Sequence, residues 1–290
     1  MSSTVPAPRV RYRATVEFDG AAFHGYQIQP AHRTVQGVLE GTLGTLFEQP
    51  ARVLGAGRTD TGVHAAGLEI AFDAPERFDA ATLEKALSSM LPDDVRVSRI
   101  RPARDFHPRF DATGRRYEYY VGPAGPLRRS RVWEPRSMPD PGLLSEGADL
   151  LPGRRSFEAL SRAGQPELGS VCTVERADWT RTALGDLRFS IVADRFLHRM
   201  VRYIVATLVD VGRDRRSLAE WAGLLNEGTG RPPEPAPPQA LYLSGVRYAD
   251  GWNRPAGVPG LWSPAGDESA GDDEGRPRPL SHIGTESEGE

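Results

Sequence analysis

The chain has one cysteine, Cys172, and one lysine, Lys85, among 290 residues. A single thiol excludes any disulfide within the chain and suits a reducing compartment. A lone cysteine most often serves as a small buried hydrophobe. No apolar run is long enough to span a bilayer, and no charged-then-apolar leader precedes the first strand. The expectation is a cytoplasmic protein with no membrane partner. The scarcity of lysine means that nearly every cation is a guanidinium. Its planar fork pairs bidentately with phosphate and stacks on bases, which an ammonium cannot do.

Net charge is −3, which by itself argues against a nucleic-acid partner. The distribution reverses that. Residues 266–290 hold eight acids against Arg276 and Arg278, a net of −6, so the remainder carries +3. A mildly basic, arginine-dominated body permits RNA binding. At 39% hydrophobic the chain can bury a core in one large domain or two smaller ones.

Residues 11–18 alternate around Tyr12, Ala14, Val16 and Phe18, predicting a half-buried strand. Val35, Val38, Leu39, Thr42, Leu43 and Leu46 follow helical spacing behind the N-cap Thr34. Short strands are expected near 51–55 and 67–73, and Asp79 caps a second helix ended by Pro92. With a strand over 95–100, the order is β-α-β-β-α-β, the footprint of a ferredoxin-like unit. The second half predicts a strand at 115–121, a helix at 139–151 and paired strands at 171–180 and 187–193. Helices at 197–211 and 218–225 and a closing strand at 241–248 complete it. Arg231–Pro238 is a proline-rich connector.

The fold class expected is α+β: two ferredoxin-like (RRM-like) halves with mixed, mainly antiparallel sheets flanked by helices. Four segments result: a flexible arm over 1–10, a first half over 11–107, a second over 108–250, and an acidic disordered tail over 251–290.

One stretch looks like chemistry. Gly55-Ala56-Gly57-Arg58-Thr59-Asp60-Thr61-Gly62-Val63-His64-Ala65 holds a carboxylate and a guanidinium between glycines, ahead of the apolar run from Leu68 to Phe72. Glycine allows backbone angles other residues avoid and close approach of a ligand. Taken alone, the loop also reads as a tight connection whose Arg58 and Asp60 pair at the surface.

The rest of the chain adds to it. GRTDTGVHA resembles the signature loop of the tRNA pseudouridine synthase A family. Tyr12–Gln27, with its Phe23-His24-Gly25-Tyr26-Gln27 turn, resembles that family's first strand and turn. Thr34-Val35-Gln36 resembles its first helix start. Phe106-His107-Pro108-Arg109-Phe110 and Arg116-Tyr117-Glu118-Tyr119 resemble its FHxRF…RxYxY stretch. Phe196–Arg202 resembles its FLHHMVR helix, and Ala240–Tyr248 its closing strand. The blocks fall in family order across roughly 10 to 250.

The resemblance implies a tRNA pseudouridine synthase that isomerises uridine at positions 38–40 of the anticodon stem-loop. It also implies a homodimer and a catalytic cleft between the halves. The reaction calls for no metal and no other cofactor. Asp60 is the implied nucleophile, in keeping with carboxylates that attack sugar carbons elsewhere. Arg58 holds the space vacated by the flipped base or contacts phosphate. Tyr117 stacks on the target uracil, while Tyr119, on the same strand face, is the candidate core residue. Arg202 pairs with Asp60 and keeps it ionised. Arg115 and Arg116 touch RNA backbone, and His198 and Arg199 meet phosphate or solvent. His198 and Arg202, four apart on the expected helix, share one flank.

Other chemistries fail on spacing. Asp60 and His64 are four apart, as two metal ligands on a helix would be, but Gly57 and Gly62 oppose a helix and no further His/Cys cluster completes a site. The third glycine of a dinucleotide fingerprint is missing, as are a P-loop and a GxSxG elbow. A synthase acting on another RNA, or a non-catalytic tRNA-binding protein, is the alternative. The chain departs from the family pattern at Tyr26 (usually Trp), Arg199 (often His), Ala240 (usually Gly) and in the stretch after Ser156-Phe157.

Overall fold

A computed structural model describes residues 8–162, 169–254 and 257–258. Most of the expected arm, and the tail from 259 onward, lie outside the described residues. In chain order the elements begin β1 (Arg9–Phe18), α1 (Val35–Phe47), β2 (Val53–Gly55), β3 (His64–Pro75), α2 (Ala80–Met90), β4 (Val95–Pro102) and β5 (Gly114–Val121). They continue α3 (Gly125–Arg128), α4 (Pro141–Asp149), β6 (Gly153–Ser156), β7 (Val171–Arg181), β8 (Leu187–Ala193), α5 (Met200–Gly212), α6 (Leu218–Asn226), β9 (Leu241–Tyr248) and β10 (Gly251–Trp252). This is the α+β pattern expected, built mainly from antiparallel pairs.

The described residues divide into two compact units, one of residues up to 117 with 238–258, the other of 118–237. In the first, β1 lies antiparallel between β3 (Arg9↔Pro75 to Val16↔Leu68) and β4 (Tyr12↔Pro102 to Phe18↔Val95). β2 pairs with the far part of β3 (Val53↔Phe72), giving the ferredoxin-like order β4-β1-β3-β2. β3 is long enough to serve two partners. Its first residues pair in parallel with β9, His64↔Tyr242 and Ala65↔Leu243.

The helices start where local chemistry stops the backbone donors from going unpaired. Thr34 accepts from the Gly37 N–H and Asp79 from the Thr82 N–H. Val35, Leu39, Leu43 and Phe47 of α1 and Leu83 and Leu87 of α2 bury against Ala14, Val16 and Phe18 of β1.

The other face of β1, expected to meet solvent, is covered. Arg13 Nε donates to Glu69 at 2.7 Å, and Thr15 Oγ1 and Asn253 Nδ2 both donate to the second Glu69 oxygen at 2.9 Å. The Arg13 guanidinium lies 4.5 Å from the Phe106 ring centroid and 4.7 Å from that of Tyr248. Glu69 is wholly buried, which such a charge tolerates only when fully paired.

Two expectations change here. The closing strand β9, assigned to the second half, is built into the first unit beside β3. Residues 251–254, assigned to the tail by composition, belong to the same unit. β10 pairs with β9, Asn253 is buried, and Arg254 pairs with Glu17 and donates to the Ala66 carbonyl at 2.8 Å. Glycine and proline content signals disorder only where no sheet edge waits for the segment.

In the second unit β6, β7 and β8 form an antiparallel meander, Gly153↔Val174 to Ser156↔Val171 and Val174↔Ala193 to Arg181↔Leu187. Helices α4, α5 and α6 pack together. Asp140 caps α4, and a Ser217–Glu220 capping box starts α6. Gly147 lets α4 approach closely, since an added Cβ would sit 2.6 Å from Leu208, and Trp221 Nε1 donates to the Gly147 carbonyl at 2.8 Å. Short α3 and β6 carried too little periodicity to be expected.

Candidate active site

The loop between β2 and β3 has its shape imposed from the chain's first motif. Tyr26 N–H donates to the Thr59 carbonyl at 3.1 Å. Gly25, at φ 87°, would bring a Cβ within 2.6 Å of that same oxygen. Only glycine combines that angle with that approach. Gly55 has no room either, because a Cβ there would meet the buried Tyr26 ring at 2.7 Å. The two blocks that resembled one family, distant in sequence, therefore grip each other. Within this run Arg58 is exposed, Thr59 buried and Asp60 half-buried, and a turn closes from the Asp60 carbonyl to Val63 N–H at 3.1 Å.

The loop's exit is anchored by a residue the sequence reading weighed only as a metal ligand. His64 is 1% exposed. Its Nδ1 accepts from Gly20 N–H at 3.0 Å, its Nε2 lies 3.0 Å from the Gln239 carbonyl, and its ring stacks on Tyr242 at 4.7 Å. Nδ1 also lies 3.1 Å from an Asp19 carboxylate oxygen, so both ring nitrogens are engaged. Nothing local signals it; both hydrogen-bond partners come from distant segments. Among the described residues, no group of three His, Cys, Asp or Glu side chains is placed to hold a metal ion.

Tyr117, on β5, is half-buried and packs against the first unit's core. Its phenol is pushed well up, first by burial and then by the Asp60 carboxylate, with the Arg115 cation opposing. The loop acid and the strand tyrosine are thus electrostatic neighbours. Tyr119 fills the core role expected of it: fully buried, it donates to the Pro237 carbonyl at 2.8 Å.

Arg115 turns inward. Its Nη2 donates to the Arg109 carbonyl at 2.7 Å and the Ala56 carbonyl at 3.3 Å, and its Nη1 to the Ala112 carbonyl at 3.1 Å. Arg116, expected at RNA backbone, is buried instead. Its Nε donates to Ser244 Oγ and its Nη2 to the Arg254 carbonyl, both at 3.0 Å, with the guanidinium 4.6 Å from the Trp252 ring centroid. The strand alternation was right; the chain segment that covers Arg116 was not foreseeable from it.

In the second unit Arg202 lies on the first turn of α5, 8% exposed. Its Nε donates to the Ala236 carbonyl at 2.7 Å, and its own carbonyl accepts from Ala236 N–H at 3.0 Å. The proline-rich connector is held there. The helix begins at Met200, three residues later than expected, because Arg199 takes a left-handed conformation at φ 63°. His198 and Arg199 therefore sit in the turn before α5, and His198 shares no helical flank with Arg202. Both are half-buried, and Arg199 Nε is buried with no hydrogen-bond partner among the described residues.

An acid beside a half-buried aromatic, on a loop locked by main-chain contacts, is the equipment of an enzyme that works on a bound substrate. Residues 14–111 and 148–249 match the family described as tRNA pseudouridine synthase, and the chain belongs to that family. It is similar to the tRNA pseudouridine synthase A of Solidesulfovibrio magneticus, 40% identical over 262 residues, 87% of this chain and 95% of the relative. The protein of the same name from Methylacidiphilum infernorum is 40% identical over 248 residues, 82% and 96% of the two chains. That from Bacteroides thetaiotaomicron is 36% identical over 250 residues, 83% and 91%.

Proposed function

We propose that this chain isomerises uridine to pseudouridine at positions 38–40 of the tRNA anticodon stem-loop, in the cytoplasm and as a homodimer. The reaction breaks the N1–C1′ bond and forms a C5–C1′ bond; the C5 proton leaves and N1 gains one. Asp60 acts on the ribose of the target. Tyr117 stacks on its uracil as a neutral phenol, taken still further from ionisation by its burial. Arg58, exposed beside Asp60, fills the gap left by the extruded base, whose unstacking costs a few kcal/mol. Arg202 supplies a catalytic cation, and His198 and Arg199 contact phosphate. Arg115 acts by positioning, through the carbonyls it holds. Arg116, committed internally, is left out of the RNA surface.

The observation that carries this reading is that the Asp60 loop, gripped by the Gly25–Tyr26 turn, and Tyr117 belong to one unit, where the carboxylate adds to the upward push that burial gives the phenol. Asp60→Asn should abolish tritium release from 5-tritiated-uridine tRNA while tRNA binding stays near wild type. Turnover by that variant would remove the mechanism.

A further inference from the structure

Phe110 presents an unusual surface. It is 76% exposed, yet it is not on a loose segment. The turn from His107 to Asp111 is closed by Asp111 N–H on the His107 carbonyl at 3.1 Å and by His107 N–H on an Asp111 carboxylate oxygen at 2.9 Å. His107 Nδ1 accepts from the N–H groups of Arg109 and Phe110 at 3.2 and 3.3 Å. The imidazole also lies against the phenyl ring, centroids 4.3 Å apart and tilted by 34°, and the Arg109 guanidinium stands 6.0 Å from it.

A single exposed apolar side chain is ordinary and needs no explanation. Three further features set this one apart. Its backbone is locked, so presenting the ring costs little ordering entropy on binding. One side rests on an imidazole while most of the ring stays open. And the turn is joined to the catalytic loop, because one nitrogen of Arg115 holds both the Arg109 carbonyl and the Ala56 carbonyl. Asp60, Tyr117 and Phe110 therefore ride on one unit, with Arg115 reaching from the turn to the loop. A rigid, half-backed aromatic beside a guanidinium is how proteins seat an unpaired base: stacking is sequence-tolerant, and the cation favours the adjoining phosphate.

We infer that Phe110 is a stacking platform for a second nucleobase of the RNA substrate, one unpaired near the target uridine. The inference rests on the RNA substrate proposed above and adds a contact that holds the strand while the target base is out of its stack.

The test is binding of the full-length chain to an anticodon stem-loop RNA at fixed salt. Phe110→Ala and Phe110→Leu should each weaken binding by roughly tenfold, the loss of one stacked base. Phe110→Trp should bind like wild type. The slope of log affinity against log salt should not change, because no phosphate contact is removed. Across stem-loops that each lack one base near the target, the Phe110→Ala penalty should vanish on one of them. Binding by Phe110→Leu equal to wild type would overturn the platform, since leucine fills space without a π-face. So would a penalty that persists on every abasic RNA, or a lowered melting temperature, which would mark a structural role. The outcomes also separate this inference from the reaction it rests on. A wild-type chain that forms no pseudouridine but shows the Phe110 pattern keeps the platform and loses the reaction. One that forms pseudouridine with no effect of Phe110→Ala on binding loses the platform alone.

Discussion

Replacing Arg115 by methionine removes a side chain that ties the Asp60 loop to the His107–Asp111 turn. The bonds lost include those to Arg109 at 2.7 Å, to Ala112 at 3.1 Å and to Ala56 at 3.3 Å. The first is short and charge-assisted, a type that contributes about 1.5–3 kcal/mol net; the last is long and contributes little. Arg115 is only half-buried, so water replaces part of what is lost. A net cost of about 2 kcal/mol follows, read as a fall in melting temperature of roughly 3–4 °C for a chain this size.

The larger effect should be on rate. Freeing the Ala56 carbonyl lets the loop that carries Asp60 drift, and a misplacement near 1 Å costs on the order of a hundredfold. The expectation is a kcat reduced tenfold to a hundredfold in single-turnover tritium release, with tRNA affinity changed far less. Arg115→Lys separates geometry from charge. It keeps the cation that opposes the upward push on Tyr117 but cannot span three carbonyls, so its kcat should stay low. Wild-type kcat and melting in Arg115→Met would refute the positioning argument.

Two further outcomes follow from titrating groups. Cys172 on β7 is wholly buried, and burial pushes its thiol up to about 11. Native protein at pH 8 should therefore be inert to a disulfide-exchange reagent and yield one thiol after urea unfolding; rapid native labelling would contradict the burial. Asp73 is held below its ordinary value of 3.8, chiefly by its hydrogen bonds from Arg11. A depressed carboxylate stabilises the fold above its unfolded value and loses that contribution as pH falls through the lower folded one. The urea-midpoint difference between wild type and Asp73→Asn should stay constant above pH 5 and shrink below 3.8. It will be modest, because the pair is partly exposed.

The amino-acid order by itself determined whatever depends on a few neighbouring residues. Thr34 and Asp79 mark helix starts because a side-chain oxygen needs only the next turn's N–H. The β-α-β-β-α-β order, the glycine-bracketed Asp60 loop and the burial of Tyr119 were legible for similar reasons of spacing and pattern. Tertiary structure decided what distant segments do to one another. His64 is fastened by residues 44 and 175 positions away, and buried Glu69 is paired in part by Asn253, 184 positions away. Arg116 is enclosed by the chain end that composition assigned to a tail. Arg199 delays the start of α5 with a backbone angle its residue type does not advertise. Propensity and periodicity act along the chain, whereas the pairing of a buried charge or the close approach of two backbones is settled only when remote parts of the chain meet.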